Sequence, residues 1–386
     1  MPDVHARLSA SASSKWLNCT NSLLLEEEFD EKESPYAEEG TLAHALAEIK
    51  VKKYFVEGIG PKTYKKEVDK LKESEYWDNE MENYTTDYLD YLKQLSLGFK
   101  SNPYVAIEKK VSYDKYAKEG FGTCDCLMIE GNNLHICDLK YGKGVPVSAE
   151  KNSQLMLYAL GAYTEYSFLY RIDNITLHII QPRLDNYSCY EFSVTDLLAF
   201  GEVVKEKSQI ALSGNGEFKT GPHCKFCKAK SKCRARSEEN IKLAGFTKMM
   251  PPLITDDEVG DYLAMAQDIV NWVKDLEEYA LNQCLAGNTI KGWKVVEGRS
   301  VRKVVDEIGL INKLKENGFD EALIYKPKQL ETITNLEKLV GKKPFVELSK
   351  DFIEKPKGKP TLVRESDKRE AITNSKKAKD VFKEEI

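Results

Sequence analysis

No stretch of this 386-residue sequence approaches the ~18 consecutive apolar residues that a membrane-spanning helix needs. The opening "MPDVHARLSASASSKW" lacks the apolar run of a secretory signal, so a cytosolic protein with no membrane partner is expected. An excess of one charge is missing too. The sequence sets 57 Lys+Arg against 62 Asp+Glu for a net −5, which argues against a surface coated all over for nucleic acid. That average conceals an asymmetry: residues 288–386 hold 23 Lys+Arg and 17 Asp+Glu, net +6, leaving −11 for residues 1–287. A basic end of this kind suits a polyanion, and it equally suits a solvated lysine-rich arm. Internal repeats are absent, which excludes solenoids and propellers.

What is present is enough for a sizeable core. With 41% hydrophobic residues, the length predicts two or three domains. Nine cysteines in a cytosolic chain read as metal-binding or buried thiols rather than disulfides. The pattern predicts a helix over 9–28, a second over "YAEEGTLAHALAEIKVKKYF" and a third over "YWDNEMENYTTDYLDYLKQL". Strand patterns follow in "YVAIEKKVSY", "FGTCDCLMIE" and "NLHICDLKYG", then a helix over "SAEKNSQLMLYALGAYTEY", a strand "ITLHIIQPRL" and further helix. Strands alternating with helices predict an α/β core with a small mixed sheet flanked by helices. A long amphipathic helix begins at a Thr255/Glu258 capping box and stops near Gly287. Beyond it come a short strand, "WKVVEGRSVRKVV", and small helices, giving a mainly helical C-terminal extension. The expected division is 1–240, 241–363, and a charged, loose tail over 364–386.

Two aspartates and a lysine sit oddly inside the second and third strand patterns. Gly131-Asn132 suits a two-residue type II′ hairpin loop. That loop puts Asp125 directly across from Asp138, and Lys140 on the face of Asp138. Opposed carboxylates are destabilising unless they share a proton or a cation. Mg²⁺ or Mn²⁺ prefers such oxygen ligands, and a neighbouring lysine would stabilise charge on a phosphate. On the hairpin alone, a cation site and a salt-bridged edge hairpin are both open.

Taken with their neighbours, these residues resemble the PD-(D/E)XK nuclease superfamily in its RecB-like branch. G-x-x-D is present as Gly122 to Asp125, D-x-K as Asp138 to Lys140, and the Q-x-x-x-Y of the following helix as Gln154 and Tyr158. His44, on an upstream helix, and Glu108, before the G-x-x-D strand, fit positions typical of that branch. The literal Pro-Asp is missing, Cys124 standing before Asp125. The resemblance implies a restriction-endonuclease-like core with Asp125 and Asp138 as metal ligands, joined by His44 and the Leu139 carbonyl. It implies Lys140 in water activation and charge stabilisation, Gln154 and Tyr158 in positioning, and Glu108 as a further acidic site residue.

Cys224, Cys227 and Cys233 follow a C-x2-C-x5-C spacing, which grips a metal but lacks a fourth local ligand. His223 would complete a Cys3His zinc site, and Cys19 offers another answer. RecB-like nucleases of the AddB and CRISPR-adaptation kinds resemble the second arrangement. There, one cysteine before the core and three after it hold a [4Fe–4S] cluster. The remaining cysteines fall in strand or helix patterns and read as small buried hydrophobes.

The whole chain also resembles a family of uncharacterised phage and prophage proteins, through "HARLSASASSKWLNC" and "GKPTLVRESDKR". Together the resemblances imply a metal-dependent deoxyribonuclease, an exonuclease acting on DNA ends or single strands. Its setting would be phage recombination or replication in the host cytoplasm, beside phage proteins of those processes. A DNA-binding or assembly protein on an inactive nuclease fold is the alternative expectation.

Overall fold

The structure, a computed structural model, describes residues 6–29, 35–56, 58–241, 256–296 and 306–316, together with 341, 345 and 349. Its centre is one five-stranded mixed sheet of β1 (Tyr104–Ser112), β2 (Phe121–Glu130), β3 (Asn133–Leu139), β4 (Asn174–Gln181) and β5 (Asn186–Ser193), ordered as numbered. All neighbours run antiparallel except β3 and β4, which are parallel. A parallel pair needs a long crossover, supplied here by the helix α6 (Ser153–Tyr166; α1 to α5 precede the sheet).

Among the described residues, five helices come before the sheet: α1 (Ser13–Trp16), α2 (Ser22–Glu26), α3 (Pro35–Phe55), α4 (Pro61–Lys72) and α5 (Glu80–Leu97). Proline at the first helical position and a run of Ala, Leu, Glu and Lys favour α3. Its buried Ala43, Leu46, Ala47 and Val51 form the inward stripe. α7 (Val194–Ser213) starts at a capping box of Ser193 and Asp196. α8 (Arg234–Ile241) and α9 (Asp256–Leu285) follow.

Helices therefore cover both faces of the sheet. On one side α6 and α7, with Leu8 and Trp16, bury Leu127, Ile136 and Leu177. On the other, α3 and α5 pack Val51, Tyr88 and Leu92 against Cys126, Met128, Cys137 and Leu139. Alternation along each strand dictates which residue meets which layer. Among the described residues, no helix is long and apolar enough to cross a membrane.

The predicted helix over 9–28 is instead two short helices, α1 and α2. The polar segment between them turns aside to bond another part of the chain: Asn21 exchanges hydrogen bonds with Gly216, and Thr20 Oγ1 accepts from the Glu217 amide. Strand β5 was not anticipated; it returns antiparallel after a tight turn at Pro182–Leu184. Residues 293–296 carry only the isolated bridge of Ile290 with Trp293, not the start of a strand, and 297–305 lie outside the described residues. Thr255, "GKPTLVRESDKR" and the tail over 364–386 also lie outside them.

Contacts divide the chain into two units, Met1–Val296 and Glu297–Ile386. The first holds the sheet and α1 to α9. In the second, α10 (Glu307–Glu316) is described.

Candidate metal centre

The β2–β3 hairpin has the expected register, from Glu130 opposite Asn133 to Cys126 opposite Cys137. Gly131 takes φ 57° while Asn132 does not take a positive φ, as a type II′ loop requires. Asp125 and Asp138 stand at the next step, where the pairing stops. There the Asp125 Oδ2 accepts a hydrogen bond from the Leu139 amide at 2.7 Å. Leu139 thus enters the site through its N–H.

A matched irregularity separates the two carboxylates. Cys124 and Cys126 share parity on β2, yet Cys124 faces the α6 layer and Cys126 the α3/α5 layer. On β1 the same switch separates Ile107 from Val111. The residues at the switch are Asp125 and Glu108, and Glu108 holds φ 48°. Register is unchanged on either side, with Ile107 opposite Cys126 and Lys109 opposite Cys124. A non-glycine residue in this conformation costs about 1–3 kcal/mol and is held by its surroundings. Here the strain delivers two strand carboxylates to one helix. Ligand atoms of His44, Glu108 and Asp125 all lie within 4.8 Å of one another, and His44 Nδ1 stands 3.3 Å from Asp125 Oδ2.

Asp138 obeys simple alternation and faces α6. Its Oδ2 lies 2.9 Å from Lys140 Nζ, and Lys140 Nζ donates to Gln154 Oε1 at 2.9 Å. Gln154 Nε2 donates to the Tyr158 hydroxyl at 3.0 Å, one helical turn away. The Asn152 side chain caps α6 by accepting from the Leu155 amide, which helps fix the phase that aims Gln154 and Tyr158 at β3. Gly122 belongs to the same fit: a Cβ there would come within 2.6 Å of the Tyr158 ring. The structure thus divides the predicted residues into two adjoining groups. One is His44, Glu108 and Asp125; the other is Asp138, Lys140, Gln154 and Tyr158.

Burial and close charges set the ionisation of both groups. Burial opposes the His44 charge, but Asp125, and more weakly Asp138, outweigh it and push the imidazole up to about 9. Burial, reinforced by Asp125 and Glu48, lifts the Glu108 carboxyl to about 7. Asp125 sits below its usual range because His44, the Leu139 amide and Lys140 together outweigh its burial. Asp138 is raised by burial, with Lys140 opposing and Asp125 assisting. Burial would lower Lys140, yet Asp138 and Asp125 keep it above its ordinary value. The site therefore gathers protons around excess carboxylate, a demand a divalent cation would also meet. The Asp138 Oδ2 is fully buried, with Lys140 Nζ at 2.9 Å as its charged partner. One imidazole nitrogen and two carboxylates make a donor set that a divalent cation could occupy.

Several site residues were not picked out from the sequence. Glu48 lines the small cavity beside His44; its signal was available, since it stands four residues on along α3. Tyr88 of α5 lines it too. Gln181 is 2% exposed and lashes down the loop after Lys140, donating to the Gly142 and Val145 carbonyls and accepting from the Val147 amide. Arg183 pairs with Glu39 at 2.9 Å and lies over the Tyr141 ring at 4.5 Å, fixing the residue next to Lys140.

A second constellation lies at the chain's early helices. Cys19, Cys224, Cys227 and Cys233 line one small cavity, with His223. Gly216 is required here, because a Cβ would meet Thr20 Oγ1 at 2.1 Å where the two segments pair. Lys15 bonds both Glu26 and the Phe226 carbonyl, and Glu26 accepts from the Lys228 amide, so the cysteine loop is tied to α1 and α2. His223 contacts Cys19 and donates Nε2 to the Lys219 carbonyl at 2.8 Å. Among the described residues, no three of these thiol and imidazole groups bring ligand atoms within 4.8 Å of one another. Tetrahedral zinc with ~2.3 Å bonds to sulfur would hold its ligands ~3.8 Å apart, so the spacing is wider than a closed zinc site.

Among solved structures, one titled "Crystal structure of SSO0001" matches 58% of this chain and 95% of its own, at 14% identity and a TM-score of 0.22. No conclusion about fold or activity follows at that depth. The model of a family described as "Protein of unknown function (DUF2800)" matches residues 5–370, nearly the whole sequence. The chain therefore belongs to the DUF2800 family.

Proposed function

We propose that this protein is a metal-dependent deoxyribonuclease with a PD-(D/E)XK core of the RecB-like kind, cleaving DNA from ends or single strands. The observation that carries the reading is the convergence of His44, Glu108 and Asp125 within 4.8 Å, beside the Asp138–Lys140–Gln154 chain. His44, Glu108 and Asp125 would hold Mg²⁺ or Mn²⁺, with the Asp138 carboxylate adjacent. Such an ion, when bound, supplies Lewis-acid polarisation of a phosphodiester.

The chain's own groups do the rest. Lys140 keeps its positive charge between Asp138 and Gln154, so it can meet negative charge developing on phosphoryl oxygens without reorganising. Gln154 fixes the ammonium, and Tyr158 fixes Gln154. Gln181 holds the following loop against β4, which keeps Lys140 in place. In hydrolysis, water adds across the P–O bond, and the leaving sugar oxygen takes a proton.

The cysteine cavity supports a [4Fe–4S] cluster held by Cys19, Cys224, Cys227 and Cys233, stapling the early helices to the end of the core. Iron and acid-labile sulfide in anaerobically purified protein would bear this out; zinc alone would replace it. A place in phage recombination or replication follows as the biological setting of the proposal.

The test is cleavage of end-labelled linear DNA, single- and double-stranded, against closed circular DNA in Mg²⁺ or Mn²⁺. Wild type should degrade linear DNA and spare closed circles, and Lys140→Ala should lose at least about a hundredfold in rate. Equal activity in both proteins, or none in wild type, would transfer the reading to a DNA-binding protein on an inactive nuclease fold.

A further inference from the structure

The cavity at the candidate cation site contains one polar group with no role so far. Tyr88 is 2% exposed and lines that cavity with His44, Glu108 and Asp125. Its hydroxyl is fully buried and has no hydrogen-bond partner among the described residues. Unsatisfied buried hydroxyls are unfavourable, and phenylalanine would fill the same space between α5 and the sheet without one.

The chemistry around it is one-sided. Glu48, Glu108 and Asp125 bring carboxylate oxygens, and Ala47, Val51, Ile107 and Leu139 close the walls with apolar groups. Donors are scarce: the Leu139 amide is committed to Asp125, and His44 faces the same carboxylate. Burial, with Cys126 and Asp125 nearby, keeps the Tyr88 hydroxyl protonated and therefore a donor.

We propose that Tyr88 is a positioning residue of the cation site, its hydroxyl supplying a hydrogen bond that orients the ligand carboxylates, Asp125 foremost, when a divalent ion draws them together. This rests on reading His44, Glu108 and Asp125 as a cation site. Groups that orient metal ligands in this way typically contribute ten- to a hundredfold in metal affinity.

The experiment is a Mn²⁺ titration followed by the paramagnetic resonance of the free ion, on full-length wild type, Tyr88→Phe and Asp125→Asn. Thermal unfolding of each is recorded in EDTA. Wild type should bind Mn²⁺, Asp125→Asn should not, and Tyr88→Phe should bind about tenfold more weakly. The metal-free Tyr88→Phe protein should melt no lower than wild type, because it loses only an unsatisfied hydroxyl. Unchanged Mn²⁺ affinity in Tyr88→Phe, with Asp125→Asn defective, overturns the role of Tyr88 and leaves the cation site standing. A lower melting temperature for metal-free Tyr88→Phe also overturns it, since the hydroxyl would then have a structural partner. Absence of Mn²⁺ binding by wild type removes the cation site and this inference together.

Discussion

Replacing Asp125 by asparagine should flatten the dependence of stability on pH between about 6.5 and 9 in metal-free protein. Asparagine keeps the volume and an oxygen to accept from the Leu139 amide, but removes the charge that faces His44 at 3.3 Å. In wild type the imidazole is raised from 6.5 to about 9. The folded protein then binds a proton that the unfolded chain releases, so this stability is complete below pH 6.5 and lost as pH rises through 9. At full burial that interval is worth roughly 3 kcal/mol. With 33% of the His44 side chain exposed, solvent screening reduces the expectation to about 2 kcal/mol. His223, also raised, titrates alike in both proteins and cancels in the difference. Urea unfolding at closely spaced pH values, in EDTA, measures it. Wild type should lose about 2 kcal/mol more than Asp125→Asn across the window. Parallel curves, or a wild type that gains stability as pH rises, would refute the His44–Asp125 pairing.

Gly122→Ala should destabilise the core by about 1–3 kcal/mol, because its methyl would meet the Tyr158 ring at 2.6 Å; a melting curve checks it. Asp275 of α9 pairs with Lys230 at 2.7 Å and with buried Arg236 at 2.5 Å, beside the cysteine cavity. Asp275→Ala leaves Arg236 buried without that partner, a loss of about 3–5 kcal/mol, and hydrogen exchange should quicken in α9 and α8. His135 and His178, stacked with 3.1 Å between their nitrogens, are lowered by burial to about 4 and about 3. Because the unfolded chain binds protons there first, stability should fall by at least about 3 kcal/mol as pH drops from 6.5 to 4, and His178→Phe should weaken that slope.

Where periodicity and turn chemistry act locally, the sequence was readable. The Gly131-Asn132 loop determines the pairing of β2 with β3, α3 and α5 carry apolar stripes, and α6 is apolar nearly all round. The same parity argument put Lys140 with Asp138, as their 2.9 Å separation bears out. It failed at Asp125, because a face switch shared by two strands leaves register unchanged and has no local signature. Glu108 therefore joins His44 and Asp125, while Asp138 turns to α6. Strand β5 was missed because its alternation places tyrosines and a cysteine on a half-covered surface rather than in the core. The break between α1 and α2 depends on Gly216, nearly two hundred residues away, and no window along the chain could reveal it.

The most direct test of the central claim is anomalous diffraction from crystals grown with Mn²⁺. The account predicts a single strong peak within coordination distance of His44, Glu108 and Asp125, lost in Asp125→Asn crystals. A vacant cavity at saturating Mn²⁺, or an ion bound elsewhere with these three side chains still turned to one another, would contradict it.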